Sequence, residues 1–400
     1  MIEFAKKNKI LKKIINFGLF FFGKFLLLFI PKKPKKIELE KVKKILVNAN
    51  LFSFGNFLLF SPVIRNLKEL LPNTQLTVLM FKNANLLFIK GTRYYNKIIE
   101  YPQNFLKLIK LAFTLRYEKY DIVISNYYGG ISRRDRLFYL LTGIPYRITN
   151  VDPLNKNSIF FDFSFSSFFT HKINIKKQHE VETNLNLIRI LGLTPINDHF
   201  ILRISKDDEE FVDNFFKENK IEKGKYIFGF HAGSNPTQKW KRWDKKKFGK
   251  LADMLKEKYN SINIFFGGPD EISLNNEIKN SMKTEFIDCA GKITVTQLAA
   301  MIKRCTLLVS NDAMSMHVAS IVKTPSFVII GPTDYVRSRP FYKESQIIKI
   351  DLDCSRCYRF GGFKAENCDR KCLKLIKVED VFQYVEQYLS KLKNFEVMKK

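Results

Sequence analysis

Three short stretches in the second half of the chain carry residues suited to holding a phosphorylated sugar. They are His231–Asp244 (HAGSNPTQKWKRWD), Gly267–Glu271 (GGPDE) and Ser310–His317 (SNDAMSMH). Ala232, Gly233 and Ser234 are small, so backbone N–H groups beside them can come close to a phosphate. Lys239, Lys241 and Arg242 offer positive charge to a diphosphate. Glu271 suits a ribose hydroxyl, and Asp312 can accept hydroxyl hydrogen bonds from a sugar. Each residue has a plainer reading when taken singly. The glycine pair makes an ordinary turn, the lysines are solvated surface, His231 ends a strand, and Asp312 only caps the helix that carries His317. Their joint occurrence points to a nucleotide site.

The elements needed to bring these stretches together are legible around them. Asn311–Asp334 lies between the β-type runs TLLVS and SFVII, with a helical middle, and so reads as one βαβ step of a parallel sheet. Each of the three stretches follows a strand and opens a helix, which places all three on one sheet edge. There helix N-termini present free N–H groups to ligands. A helix is expected from about Asp244 to Tyr259, another from Glu271, and another over TVTQLAAMIKRC capped by Thr294 or Thr296. The first half shows the same alternation. ILVNANLF is a strand, SFGN a turn, FLLFSPVIRNLKELLP a helix ended by Pro72, and QLTVLMF and DIVISN are further strands. Thr149–Lys176 is rich in Phe and Ser and reads as irregular. A helix follows at His179–Leu193, and TPINDHF reads as a linker. Two consecutive α/β units of similar size imply paired Rossmann-like domains facing across a cleft. The boundaries are residues 37–200 for the first and 201–400 for the second.

At 400 residues the length suits two domains, and 46% hydrophobic with 14% aromatic residues excludes a disordered chain. Lys and Arg outnumber Asp and Glu by 68 to 39, a formal charge of +29 that favours a polyanionic partner. The lysines are spread along the chain and no nucleic-acid-binding signature is present, so nucleic acid is set aside. Residues 1–36 are distinct. Lysines flank Ile14–Ile30, seventeen residues interrupted by Lys24. That is at the short limit for crossing a hydrocarbon core of about 30 Å. An interfacial helix on an anionic membrane is expected, with a single spanning anchor as the rival.

The motifs H-A-G-S…K-R-W-D, G-G-P-D-E and S-N-D-A-M-S-M-H-V-A…T-P…G-P-T-D resemble the donor half of glycosyltransferase family 9, the ADP-heptose–lipopolysaccharide heptosyltransferases. ILVNANLFSFGNFLLFSPVIRNLKELLP resembles that family's opening strand, loop and helix, and the resemblance extends from about Lys44 to Val385. It implies a GT-B fold with an N-terminal acceptor side and a C-terminal donor side. It also implies inverting transfer from an ADP-heptose-like nucleotide diphosphate sugar to lipopolysaccharide core or a related glycolipid, with no cofactor required for catalysis. With the basic N-terminal segment, the setting is the cytoplasmic face of the inner membrane, reached peripherally or through one anchor. By the same resemblance Lys241 neutralises the leaving diphosphate, Glu271 binds ribose and Asp312 the sugar hydroxyls. Ser53 and Gly55 face the donor, alongside His231, Gly233, Ser234, Ala313, Met314 and His317.

The chain departs from the family at three positions. Asn56 stands where the family has the acid taken as general base, and a carboxamide cannot take a proton from an acceptor hydroxyl. Substitutes near in sequence are His179, Glu180, Glu182 and Asp135. The alternative is a sugar-nucleotide or glycolipid-binding protein that has lost catalysis. Ala313-Met314 replaces Thr-Gly, and Asp244 replaces a Pro. Finally, Cys354, Cys357, Cys368 and Cys372 follow a C-x2-C-x10-C-x3-C spacing that can close a structural zinc site or form two disulfides. A terminal helix, VEDVFQYVEQYL, is expected to return towards the first domain.

Overall fold

The computed structural model describes residues 36–49, 54–80, 89–126, 133–151, 169–359, 362–363 and 368–398. The expected N-terminal membrane segment and Ser53 lie outside these residues. Among the described residues no helix is long and apolar enough to cross a membrane.

The first domain is built on a six-stranded sheet in the order β3-β2-β1-β4-β5-β6, all parallel. Its strands are β1 (Lys44–Asn48), β2 (Gln75–Met80), β3 (Lys97–Glu100), β4 (Ile122–Ser125), β5 (Tyr146–Val151) and β6 (His171–Asn174). Ile45, Leu46 and Val47 of β1 have no exposed surface, as a central parallel strand covered on both faces requires. The Asp121 carboxylate fixes the start of β1 by accepting the N–H groups of Lys43 and Lys44 at 2.8 and 2.9 Å. Helix α1 (Phe54–Leu70) leaves the β1 edge and is buried over most of its length. Pro62 lies inside it and is tolerated, with Asn66 donating to the Pro62 carbonyl at 2.8 Å and to that of Asn197 at 2.7 Å. Helices α2 (Phe105–Glu118) and α3 (Arg133–Thr142) pack together under the sheet's other face, and α4 (Glu180–Arg189) packs along α1.

The stretch read as irregular contains the end of β5 and all of β6, which corrects that expectation. Arg147, Thr149 and Asn150 are buried in β5, and their polarity hid the strand's apolar pattern. Burial draws the Arg147 guanidinium down to about 10, and it donates to the Ile144 carbonyl.

The second domain repeats the plan. Its strands are β7 (Ile227–His231), β8 (Ile262–Phe265), β9 (Ile287–Asp288), β10 (Leu307–Asn311), β11 (Ser326–Ile329) and β12 (Gln346–Ile348). Their order is β12-β11-β10-β7-β8-β9, again all parallel. Counted within each domain, both sheets have the order 3-2-1-4-5-6 of dinucleotide-binding folds. This is the paired Rossmann-like, GT-B architecture expected above. The helices are α5 (Lys206–Glu218), α6 (Lys245–Tyr259), α7 (Ile272–Lys279), α8 (Val295–Arg304), α9 (Met314–Ile321), the short turns α10 (Tyr335–Ser338) and α11 (Lys371–Lys374), and α12 (Val378–Met398). Ser205, Asp244 and Thr294 cap α5, α6 and α8.

Among the described residues, terminal helix α12 packs on the second domain instead of the first. Val381, Val385 and Leu389, four residues apart, are buried in the second domain's core beside α6 and β11. Each such side chain contributes about 2 kcal/mol by burial, so this stripe fixes where the helix lies.

Candidate functional site

The two sheets each have a switch point, between β1 and β4 and between β7 and β10, where neighbouring strands send their helices to opposite faces. At the second of these, β7 ends in His231 and β10 in Asn311, so the stretches singled out in the sequence meet at one edge. Asn311 is fully buried and joins them. Its amide donates to the Ala232 carbonyl at 2.7 Å, and its oxygen accepts the Trp243 N–H at 2.9 Å. Sequence reading passed over Asn311, although its place just before Asp312 at a strand end was the available signal.

Asp312 is 6% exposed and forms an ion pair with Lys241 at 3.0 Å. Burial opposes its charge, but Lys241, Thr333 and His317 around it prevail and hold the carboxyl below the ordinary carboxylate value. It is not the cap of the following helix. Ala313 occupies that position with φ −143° and ψ 171° and makes no side-chain cap, so the N-terminus of α9 lacks a cap from its own chain. Lys241 reaches Asp312 from a short 3-10 turn, Pro236–Lys241, and its ammonium lies 5.6 Å from the centre of the Trp240 ring.

His231 and Glu271 form a second buried unit. The His231 Nε2 lies 2.9 Å from Glu271 Oε2, and its Nδ1 lies 2.7 Å from the Ser315 hydroxyl. This network assigns Nε2–H as the donor to the carboxylate. The Gly268 N–H donates to the same oxygen at 3.0 Å, and Arg242 approaches the other at 3.4 Å. Burial opposes the charge on Glu271, but His231, Gly268 and Arg242 together lower its pKa. Both carboxylate oxygens are thus held by protein groups here, and Gly233 shows how closely. A Cβ there would lie 1.6 Å from Glu271 Oε1. Arg242 also donates to the Ser234 hydroxyl and carbonyl at 3.0 and 2.9 Å. It therefore braces the loop instead of standing with Lys239 and Lys241 as open charge, as the sequence had suggested.

The first domain reaches this edge at the Gly55 turn and at the head of α4. A Cβ on Gly55, in the first turn of α1, would lie 3.3 Å from the His317 ring of α9. Asn56 follows Gly55 and is half-buried. At the head of α4, His179 is 4% exposed, lies 2.9 Å from the Arg339 carbonyl through Nε2, and accepts the Val181 N–H through Nδ1. Its ring sits 4.9 Å from that of Phe341. Burial lowers the His179 pKa and, helped by His179 and Lys241 and opposed by Asp312, brings His317 down to about 4. Among the described residues, His317 Nδ1 is buried with no hydrogen-bond partner. Glu182 pairs with Arg189 at 3.0 Å, Asp135 accepts the Tyr101 hydroxyl, and Glu180 is buried in the first turn of α4.

The four clustered cysteines are free thiols, so the two disulfides considered above are not formed. Burial pushes Cys372 up to about 11, with further lifts from Cys368, Cys357 and Cys354. Among the described residues, no three His, Cys, Asp or Glu side chains are grouped to hold a metal. The loop nevertheless touches this same edge. The Tyr358 ring packs against Trp240 at a tilt of 46° with ring centres 4.2 Å apart, and its N–H donates to the Pro332 carbonyl at 3.0 Å, next to Thr333.

Comparison with known proteins agrees with this geometry. The chain is 26% identical to lipopolysaccharide heptosyltransferase 3 of Escherichia coli K12 over 351 residues, covering 83% of this chain and 94% of the relative. It is 29% identical to lipooligosaccharide heptosyltransferase 2 of Campylobacter jejuni over 235 residues, covering 57% and 68%. The crystal structure of a family 9 glycosyl transferase from Veillonella parvula superposes with a TM-score of 0.73 at 21% identity, covering 90% of this chain and 100% of that one. E. coli ADP-heptose lps heptosyltransferase II superposes with a TM-score of 0.67 at 20% identity, covering 88% and 99%. The family model for glycosyltransferase family 9 (heptosyltransferase) matches residues 158–362, more than half of the chain, and the protein belongs to that family.

Proposed function

We propose that this glycosyltransferase moves a heptose, or a sugar like it, from an ADP-heptose-like donor to a lipopolysaccharide core or related surface glycolipid. The observation that carries the reading is the Lys241–Asp312 pair beside the uncapped N-terminus of α9, on the donor edge of a GT-B fold. Family membership and the relatives' names supply the sugar and acceptor class. The acceptor oxygen bonds to the anomeric carbon as the bond from that carbon to the diphosphate oxygen breaks. The electron pair leaves with the nucleotide, and attack from the opposite face inverts the centre. Lys241 and the first amides of α9 stabilise the departing charge, so the proposed step calls on no metal or cofactor. A zinc at Cys354, Cys357, Cys368 and Cys372 would have a structural role only.

The hydroxyl proton needs an acceptor, and Asn56 cannot serve. His317 is the proposed substitute. His231 and His179 have both ring nitrogens engaged, whereas His317 is held neutral, touches the Gly55 turn and keeps Nδ1 without a partner. The working place proposed is the cytoplasmic face of the membrane, with the basic segment of residues 1–36 against anionic lipid.

The test is release of free nucleotide diphosphate from a panel of nucleotide sugars with a delipidated core acceptor. Turnover with an ADP-heptose is expected. Measurable donor binding without turnover for any donor would instead identify a binding protein, the reading that Asn56 motivates.

A further inference from the structure

We propose that the outer face of helix α2 is a docking surface for an anionic lipid bilayer, separate from the N-terminal segment. Four of the eight large hydrophobic side chains that stand exposed among the described residues are on this one helix. They are Phe105 (46% exposed), Leu106 (74%), Phe113 (53%) and Tyr117 (89%). Leu106, Phe113 and Tyr117 are spaced seven and four residues apart, so they form one stripe along the helix. The opposite stripe, Leu108, Ala112 and Leu115, is buried in the first domain's core. The core is therefore already served, and among the described residues the outer stripe has no partner. Single exposed apolar side chains need no explanation, but a cluster of this kind marks an interaction site.

Charge selects the partner. Exposed Lys107 and Lys110 flank the stripe on one side, and on the other Arg116, also exposed, donates to the Leu141 carbonyl at 3.4 Å. The helix has one acid, Glu118, which is paired with Lys97 at 2.9 Å. A second copy of the chain docking by two-fold symmetry would set these cations against themselves. The lysine-rich N-terminal segment would meet the same repulsion. An anionic bilayer accepts both parts, with aromatic and aliphatic groups at the acyl boundary and cations among the headgroups. Position adds a reason. Helix α2 begins where β3 ends, with Asn104 capping it by accepting the Lys107 N–H at 3.1 Å. Phe105, Leu106 and Lys107 therefore lie at the same sheet edge from which β1 leads to the Gly55 turn. A bilayer on this face is next to the acceptor side of the cleft. That purpose rests on the reading of a lipid-linked acceptor, whereas the docking itself is tested without turnover.

The experiment uses the full chain carrying Phe113→Trp, with the unsubstituted protein's tryptophan emission as the baseline. Vesicles are phosphatidylglycerol–phosphatidylcholine mixtures with or without brominated acyl chains, and pure phosphatidylcholine. Bromine is expected to quench the added emission in the anionic vesicles, and raised salt to reverse it. Lys107→Gln with Lys110→Gln should lower partition by roughly tenfold or more, each lysine near such a surface being worth about a fivefold change. Unaltered thermal melting and unaltered turnover on a delipidated acceptor would show that these exposed substitutions spare fold and reaction. A protein that floats with the vesicles while the added indole is not quenched would overturn the proposal, leaving the N-terminal segment as the membrane contact. Concentration-dependent self-association lost with Phe113→Ser, without quenching, would overturn it in favour of a second copy.

Discussion

Lys241 and Asp312 are paired with each other, so on the proposed reading donor binding exchanges partners, the diphosphate taking Lys241 and a sugar hydroxyl taking Asp312. Removing either side chain leaves the other charge buried alone, which costs about 3–5 kcal/mol where burial is deep. Lys241→Ala and Asp312→Ala should each weaken binding of an ADP-sugar by roughly tenfold or more, in line with a lost charge-assisted contact. Calorimetric titration decides this, and unchanged affinity in both would contradict the assignment. The double variant should melt at a higher temperature than the single effects added together predict, because it strands no charge. At the acceptor side, Asn56→Asp restores a carboxylate to the first turn of α1. It should raise kcat while leaving the donor KM within about twofold, as expected of a general base. His317→Gln should lower kcat by about a hundredfold or more with the asparagine in place, and by much less in the Asn56→Asp background. Equal losses in both backgrounds would make His317 a donor contact alone.

The Cys-rich loop reaches the Lys241 turn through Tyr358. Tyr358 rests on Trp240 of the turn that carries Lys241, and its N–H is bonded to the Pro332 carbonyl, beside Thr333. Tyr358→Ala should therefore loosen the turn and weaken donor binding by about three- to tenfold, an aromatic pair being worth about 0.5–1.5 kcal/mol. The kcat at saturating donor should change little. If instead affinity is untouched while the melting temperature falls, the loop is a brace for the fold only. The elements themselves were largely legible in the sequence because their strands are apolar runs and their helices carry caps. Most strands of both sheets, the three turns that follow their strands and the cap at Thr294 follow from pattern. What was not legible depends on partners distant in sequence. Strand β5 buries Arg147, Thr149 and Asn150, so its composition resembles a loop. Arg242 looks like a phosphate ligand beside Lys241 until Ser234 and Glu271 are seen to hold it. Helix α12 shows its apolar stripe in the sequence, but not which domain offers the matching surface.

At the scale of the whole molecule, the contact between the domains is built around histidines that are stable only when uncharged. His317 faces Asp312, Lys241 and His179, and a glycine at 55 leaves room for its ring. Its pKa is held at about 4 against an ordinary 6.5, chiefly by burial, and that of His179 is lowered for the same reason. A histidine whose pKa falls on folding binds protons more readily when unfolded. Its favourable contribution is complete above pH 6.5 and is lost as pH falls from there towards 4. For His317 the full loss is about 3 kcal/mol, two and a half pK differences at 1.36 kcal/mol each. Asp312 and Glu271, with lowered pKa values, lose their contribution in a lower window, below the ordinary carboxylate range. Urea unfolding should therefore give a nearly constant stability from pH 8 to 7, then a decline that begins before any carboxylate titrates. His317→Gln should remove much of the slope between pH 6.5 and 4 while leaving the steeper loss at lower pH. An unchanged slope in that variant would place the acid sensitivity elsewhere, with His179 the next group to replace. Because His317 joins α9 to α1 across the cleft, acid should first weaken the hold between the domains, so donor affinity should fall at a higher pH than the one at which the chain unfolds.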